Sequence, residues 1–158
     1  MRAQQAGHAV RVVTAVESLD RKCRLVDTEH DGVPVTEVHH NLSYSSDPAR
    51  AEFDNPEIAE VLAPLLERER PDVVHAPHVM KLSAAALDLC YRLRLPTVVT
   101  LVDFWFICGR HTLLRWDGQL CTGPAHDLDC LECMHDSHGF GDSSLRTLSP
   151  AVLRIATD

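Results

Sequence analysis

The chain of 158 residues is long enough for one domain with a sizeable core and too short for two ordinary ones. Its composition, 45% hydrophobic and 24% charged, falls in the range of soluble globular proteins. A formal net charge of -8 with no basic stripe argues against a general affinity for nucleic acid or anionic membrane, because phosphate binding needs concentrated Lys and Arg.

The opening "MRAQQAGHAV" lacks the apolar core of a signal peptide, and no stretch approaches the length of a membrane span. "AQQAG" reads as the end of a helix closed by Gly7, and "HAVRVVTAVE" as the strand that follows it. "GVPVTEVHH" is a second strand. "DNPEIAEVLAPLLERERPD" is a helix capped by Asn55, with Pro56 in its first turn. Ile58, Val61, Leu62, Leu65 and Leu66 fall on one face, and Pro64 is expected to kink it.

Next, "PDVVHAP" reads as a buried strand, "MKLSAAALDLCYRLRL" as a helix striped by Leu82, Ala86, Leu89 and Leu93, and "PTVVTLVDF" as another buried strand. Together they make a right-handed βαβ crossover with a parallel sheet, whose continuous apolar strands require helices on both faces. The fold expected is therefore α/β: an open, mostly parallel Rossmann-like sheet carrying a cysteine-rich loop over 104–140. "LSPAVLRIATD" begins a last helix at Ser149–Pro150. Opening on a helix tail and closing in mid-helix, residues 1–158 read as a single domain truncated at both ends. In a doubly wound sheet the strand from "HAVRVVT" and the one from "DVVHA" would then flank an empty central slot.

Four of the six cysteines, Cys108, Cys121, Cys130 and Cys133, follow the second strand of the crossover with the spacing C-x12-C-x8-C-x2-C. Two thiolates two residues apart can grip one tetrahedral ion, and a long loop poor in core residues needs a device to hold it. A structural zinc is one reading; ordinary reduced thiols and disulfides are the others. His126 and His135 are candidates to replace one thiolate. Without a secretory signal, the thiols suit a reducing, cytoplasmic compartment. A zinc deaminase is excluded, because no histidine is followed by glutamate two residues on. His75 and His78 in "VVHAPH" lie at the carboxyl end of a strand, Asp103 ends the next, and Arg110 is a few residues on. Such strand ends border the ligand crevice of open α/β sheets, which makes these four the candidate substrate-binding residues. "GFGDSS" at 139–144 is a turn, not a dinucleotide loop.

"GHAVRVVT", "GVPVTEV", "FDNPEIAEVL", the run from Arg70 to Arg110, "LLRWDGQLCTGP" and "CLEC" resemble the N-terminal domain of family-four retaining glycosyltransferases of the GT-B type. The resemblance is most specific from Arg70 to Cys133. It implies a Rossmann-like half that shapes the acceptor site, and a second half, outside this chain, that holds the nucleotide-sugar donor and an E-x7-E motif. It further implies a saccharide or lipid-linked acceptor, a place in polysaccharide synthesis, and peripheral membrane contact of the longer enzyme. Relatives carry His-Asp where this chain has Val102–Asp103, and proline where it has Gly109. Valine can neither bond nor polarise an acceptor hydroxyl, so the fragment alone is expected to be inactive. The alternative is a zinc-stabilised binding module that performs no chemistry.

Overall fold

The computed structural model describes residues 2–45, 48–126, 129–130 and 133. The chain divides into two compact units, Met1–Val102 and Asp103–Asp158. The "GFGDSS" turn, His135 and the helix expected from Ser149 lie outside the described residues.

In the first unit, α1 (Arg2–Gln5) ends in paired bonds from Gly7 N–H to Gln4 O (2.9 Å) and His8 N–H to Ala3 O (3.1 Å). This closure needs a left-handed residue, and Gly7 supplies it at φ +87°. Strands β1 (Val12–Glu17), β2 (Arg24–His30) and β3 (Val33–His40) form one sheet in the order β1-β3-β2. β1 runs parallel to β3, and β2 antiparallel. β2 is an addition to the sequence expectation. Its acidic and basic residues hide it from a search for apolar runs, but a two-residue Asp31–Gly32 turn joins it to β3. Both turn residues have positive φ (51° and 75°), as a tight hairpin requires.

Helix α2 (Pro48–Phe53) leads into α3 (Pro56–Glu69), where Asn55 Oδ1 accepts the Glu57 N–H at 3.1 Å. α3 continues through Pro64 as one element and ends at Arg70 in the left-handed region. Its Ile58, Ala59, Leu62 and Leu65 pack with Val38 of β3 and with Ala85 and Leu89 of α4 (Ala85–Arg92) to form the core. Fully burying a side chain the size of Ile58 or Leu62 contributes about 1.5–3 kcal/mol, so this face is what joins helices to sheet.

β4 (Val74–Ala76) and β5 (Thr97–Val99) pair in parallel across α4, which completes the expected βαβ unit. The strand pairings fall in two separate sheets, three-stranded and two-stranded, with no pairing between β1 and β4, which agrees with the open slot expected between those two strands. Two details differ from expectation. β5 is not covered on both faces: Val98 and Val99 are 53% and 38% exposed. α4 begins only at Ala85, because Lys81 and Ser83 adopt positive φ (67° and 64°) and interrupt any helix from Met80. Between the sheets, β1 and β4 border a common cavity of about 440 Å³, floored by Leu62, Leu65 and Leu66 of α3 and by Ala86 and Cys90 of α4. The architecture is mixed α/β, with one three-stranded mixed sheet and one two-stranded parallel sheet.

The second unit begins with a turn in which Asp103 Oδ1 accepts the Trp105 N–H at 2.9 Å. Trp105 is enclosed and meets Phe106 edge-on at 5.0 Å. "LLRWDGQLC" then doubles back: Arg115 N–H bonds Gln119 O (2.8 Å), and Cys121 N–H bonds Leu113 O (2.7 Å). Gly118 at φ +81° makes the reversal.

Candidate functional site

β1 and β3 end in register at Glu17 and His40, so their carboxyl ends lie side by side. The loop after β4 brings Lys81 to the same edge, where its Nζ meets Glu17 Oε1 at 2.7 Å. That hydrogen bond, together with the lysine's charge, holds the Glu17 carboxyl below its ordinary range. His40 is 2% exposed, and neither ring nitrogen has a hydrogen-bond partner. Burial pushes its pKa down; the nearby Glu17 charge opposes that. A buried imidazole so placed is neutral at pH 7. None of these three residues stands out in the sequence, because Glu17 and Lys81 are 64 positions apart.

The predicted histidines sit next to this edge. His75 is in β4, with Nε2 at 2.8 Å from Thr100 Oγ1 just beyond β5. His78 Nδ1 accepts the Met80 N–H at 2.9 Å, which presents Nε2 as the proton-bearing nitrogen of the neutral ring. Both line the 440 Å³ cavity, as do Met80, Lys81 and Arg11. Arg11 is held by Asp27 (3.1 Å), Glu69 (3.7 Å) and the Thr36 hydroxyl (2.9 Å). The arrangement is an open crevice of apolar floor and polar rim, suited to a ligand with hydroxyl groups and one apolar face. Val102 is 62% exposed and adds no polar group.

The other two predicted residues belong to the second unit. Asp103 caps its own turn. Arg110 lines a cavity of about 290 Å³ with Cys108, Cys121, Cys130 and Cys133. All six cysteines are free thiols. Burial pushes the Cys108 thiol up, but the backbone N–H groups of Arg110, Leu113, Thr112 and His111 outweigh it, and the net shift is downward. The Cys130 thiol is raised, first by burial and then by Cys121, Cys108, Cys133 and Asp129. All four of these cysteines line the one cavity. Among the described residues, no three His, Cys, Asp or Glu side chains are drawn together at ligand geometry.

The family model described as "Glycosyl transferase 4-like domain" matches residues 2–126. No curated protein matches the chain. No solved structure matches it either. With the match spanning both the β4 crevice and the Cys108–Cys121 hairpin, the chain belongs to the glycosyl transferase 4-like domain family.

Proposed function

We propose that the chain is the acceptor-side half of a glycosyltransferase. It positions a saccharide or lipid-linked acceptor in the β4 crevice, for a sugar delivered from a nucleotide-sugar donor held mainly by a second domain. The supporting observation is the crevice at the carboxyl end of β4, with His75, His78 and Lys81 on its rim, in a chain of this family. His78 would meet an acceptor hydroxyl through its Nε2–H and His75 through Nδ1, since Met80 N–H engages the other nitrogen of His78 and Thr100 that of His75. Transfer also needs stabilisation of the departing nucleotide phosphate, and the binding energy of one half cannot supply both. The chain alone is therefore proposed to be inactive, working in the cytoplasm as part of a longer protein that touches the membrane peripherally.

Saturation-transfer NMR with glucose and maltose tests the acceptor reading. Ring protons of the sugar should respond, and His75→Ala with His78→Ala should abolish the response. No response from either sugar, or one indifferent to both substitutions, overturns it. In parallel, the chain incubated with labelled UDP-glucose and maltose should show neither transfer nor hydrolysis above a no-protein control. A second reading, a non-catalytic zinc-stabilised binding module, is favoured by the four cysteines around one cavity. Saccharide binding without any transfer by the longer protein would select it.

A further inference from the structure

Arg110 presents a problem that the acceptor crevice does not solve. Its Nη1 is shut off from solvent with no hydrogen-bond partner, and it lines the cavity shared by Cys108, Cys121, Cys130 and Cys133. A guanidinium is never deprotonated in a protein, and on this half-buried side chain the enclosed Nη1 is a donor left without an acceptor, which is costly. Among the described residues, the one acid lining that cavity is Asp129. Its Oδ2 already accepts the N–H groups of Ala125 (2.7 Å) and His126 (3.1 Å). The other groups lining that cavity that can carry negative charge are the four thiols.

The backbone around the cavity is arranged to deliver those sulfurs. The hairpin carries Cys121 back to Leu113, whose carbonyl it bonds at 2.7 Å, and so to the turn that follows Cys108. Two residues of that turn, His111 and Leu113, are held at positive φ (63° and 54°), which turns successive N–H groups toward the Cys108 side. Asp129, by binding Ala125 and His126, fixes the approach of the segment bearing Cys130 and Cys133.

We propose that Cys108, Cys121, Cys130 and Cys133 form a tetrathiolate zinc site and that Arg110 is its counter-charge. An all-thiolate donor set selects a soft or borderline ion, and zinc accepts it in tetrahedral geometry. Loading replaces four S–H bonds by four Zn–S bonds and releases four protons to solvent. No electron is transferred. The site carries two net negative charges, which Arg110 and the N–H groups near Cys108 offset. Because the sulfurs are not at ligand geometry, the ion draws the loop inward until each lies about 2.3 Å from it. The site is closed and structural. It stands independently of the acceptor reading and assigns Arg110 to the metal, not to substrate.

The test is metal analysis and thiol mapping on the chain purified with a thiol reductant and no chelator. About one zinc per chain is expected. Iodoacetamide followed by peptide mass mapping should leave these four cysteines unmodified until a chelator is added. Cys121→Ser should lose the metal, and Cys23→Ser should keep it. Arg110→Gln should surrender zinc to a chelator about tenfold faster, with Arg110→Lys recovering part of the difference. If Cys121→Ser does not fold, the alkylation map of the unaltered chain decides. Absence of zinc after reconstitution, ready alkylation of all four without chelator, a disulfide among them, or iron with sulfide in place of zinc each overturns the site. An unchanged release rate in Arg110→Gln overturns the role given to Arg110.

Discussion

Replacing Ser83 probes the point where three helix ends meet. Its side chain is fully enclosed. Oγ accepts the N–H of Asn55 at 2.8 Å and of Ala85 at 3.1 Å, and donates to the Phe53 carbonyl at 2.9 Å. Ser83→Ala leaves two enclosed N–H groups without a partner, while Phe53 O keeps the Ala84 N–H at 2.9 Å. At about 1–3 kcal/mol for each orphaned group, the loss is about 2–6 kcal/mol. That is a large share of a domain stability of about 5–15 kcal/mol. Ser83→Gly loses the same oxygen but relieves a backbone held at φ 64°. It should therefore be about 1 kcal/mol less damaging than alanine, the reverse of the usual order in regular structure. Urea unfolding followed by far-ultraviolet dichroism gives both differences, and hydrogen exchange at the Asn55 and Ala85 amides localises them. An alanine variant within about 0.5 kcal/mol of the parent would refute the reasoning. So would a glycine variant no more stable than the alanine one.

Gly32→Ala meets no atom within 4 Å, so its cost is conformational alone; at φ 75° it should lower stability by about 1 kcal/mol, read from a thermal melt. The Glu17–Lys81 pair has a sign that acid titration can check. With the folded pKa of Glu17 lowered from 4.5, its contribution is whole above that pH and vanishes as pH falls through the lowered value. Lys81→Met should therefore differ from the parent at neutral pH and converge with it in acid. His40, whose folded pKa is depressed from 6.5 by burial, contributes stability that is present above pH 6.5 and lost as pH falls through the folded value. Stability measured from pH 7 downward should fall less steeply in His40→Gln, and an identical slope would exclude His40 as the group responsible.

The parts of the fold that could be read in advance are those written in local chemistry. Asn55–Pro56 and the apolar stripe on α3 need no tertiary information, and neither does the order of strand, helix and strand from Val74 to Val99. β2 was hidden because "RLVDTEH" alternates too little apolar character to show a face; only its pairing with β3 makes it a strand. α4 was overextended because Lys81 and Ser83 carry ordinary helix-compatible side chains, yet tertiary bonds hold their backbones left-handed. The site divides in the same way. His75 and His78 were legible from a strand end. Arg110 was grouped with them by chain proximity; within the second unit the turn after Cys108 sets it beside the thiols. Glu17, His40 and Lys81 become one cluster only when β1, β3 and the loop after β4 are placed together.

The Asp31–Gly32 turn also sets an order of events in folding. β2 and β3 close on a pair only three residues apart, His30 with Val33. β1–β3 and β4–β5 each join residues 23 apart, Val12 with Val35 and Val74 with Thr97. Loop-closure entropy separates the two cases by about 2 kcal/mol. The hairpin can therefore form within microseconds and offer the free edge of β3 as a template before β1 arrives. Substitutions in the turn would then slow folding, whereas those in β5 would mainly speed unfolding. A strand whose own sequence shows no apolar face would thus belong to the earliest structure formed.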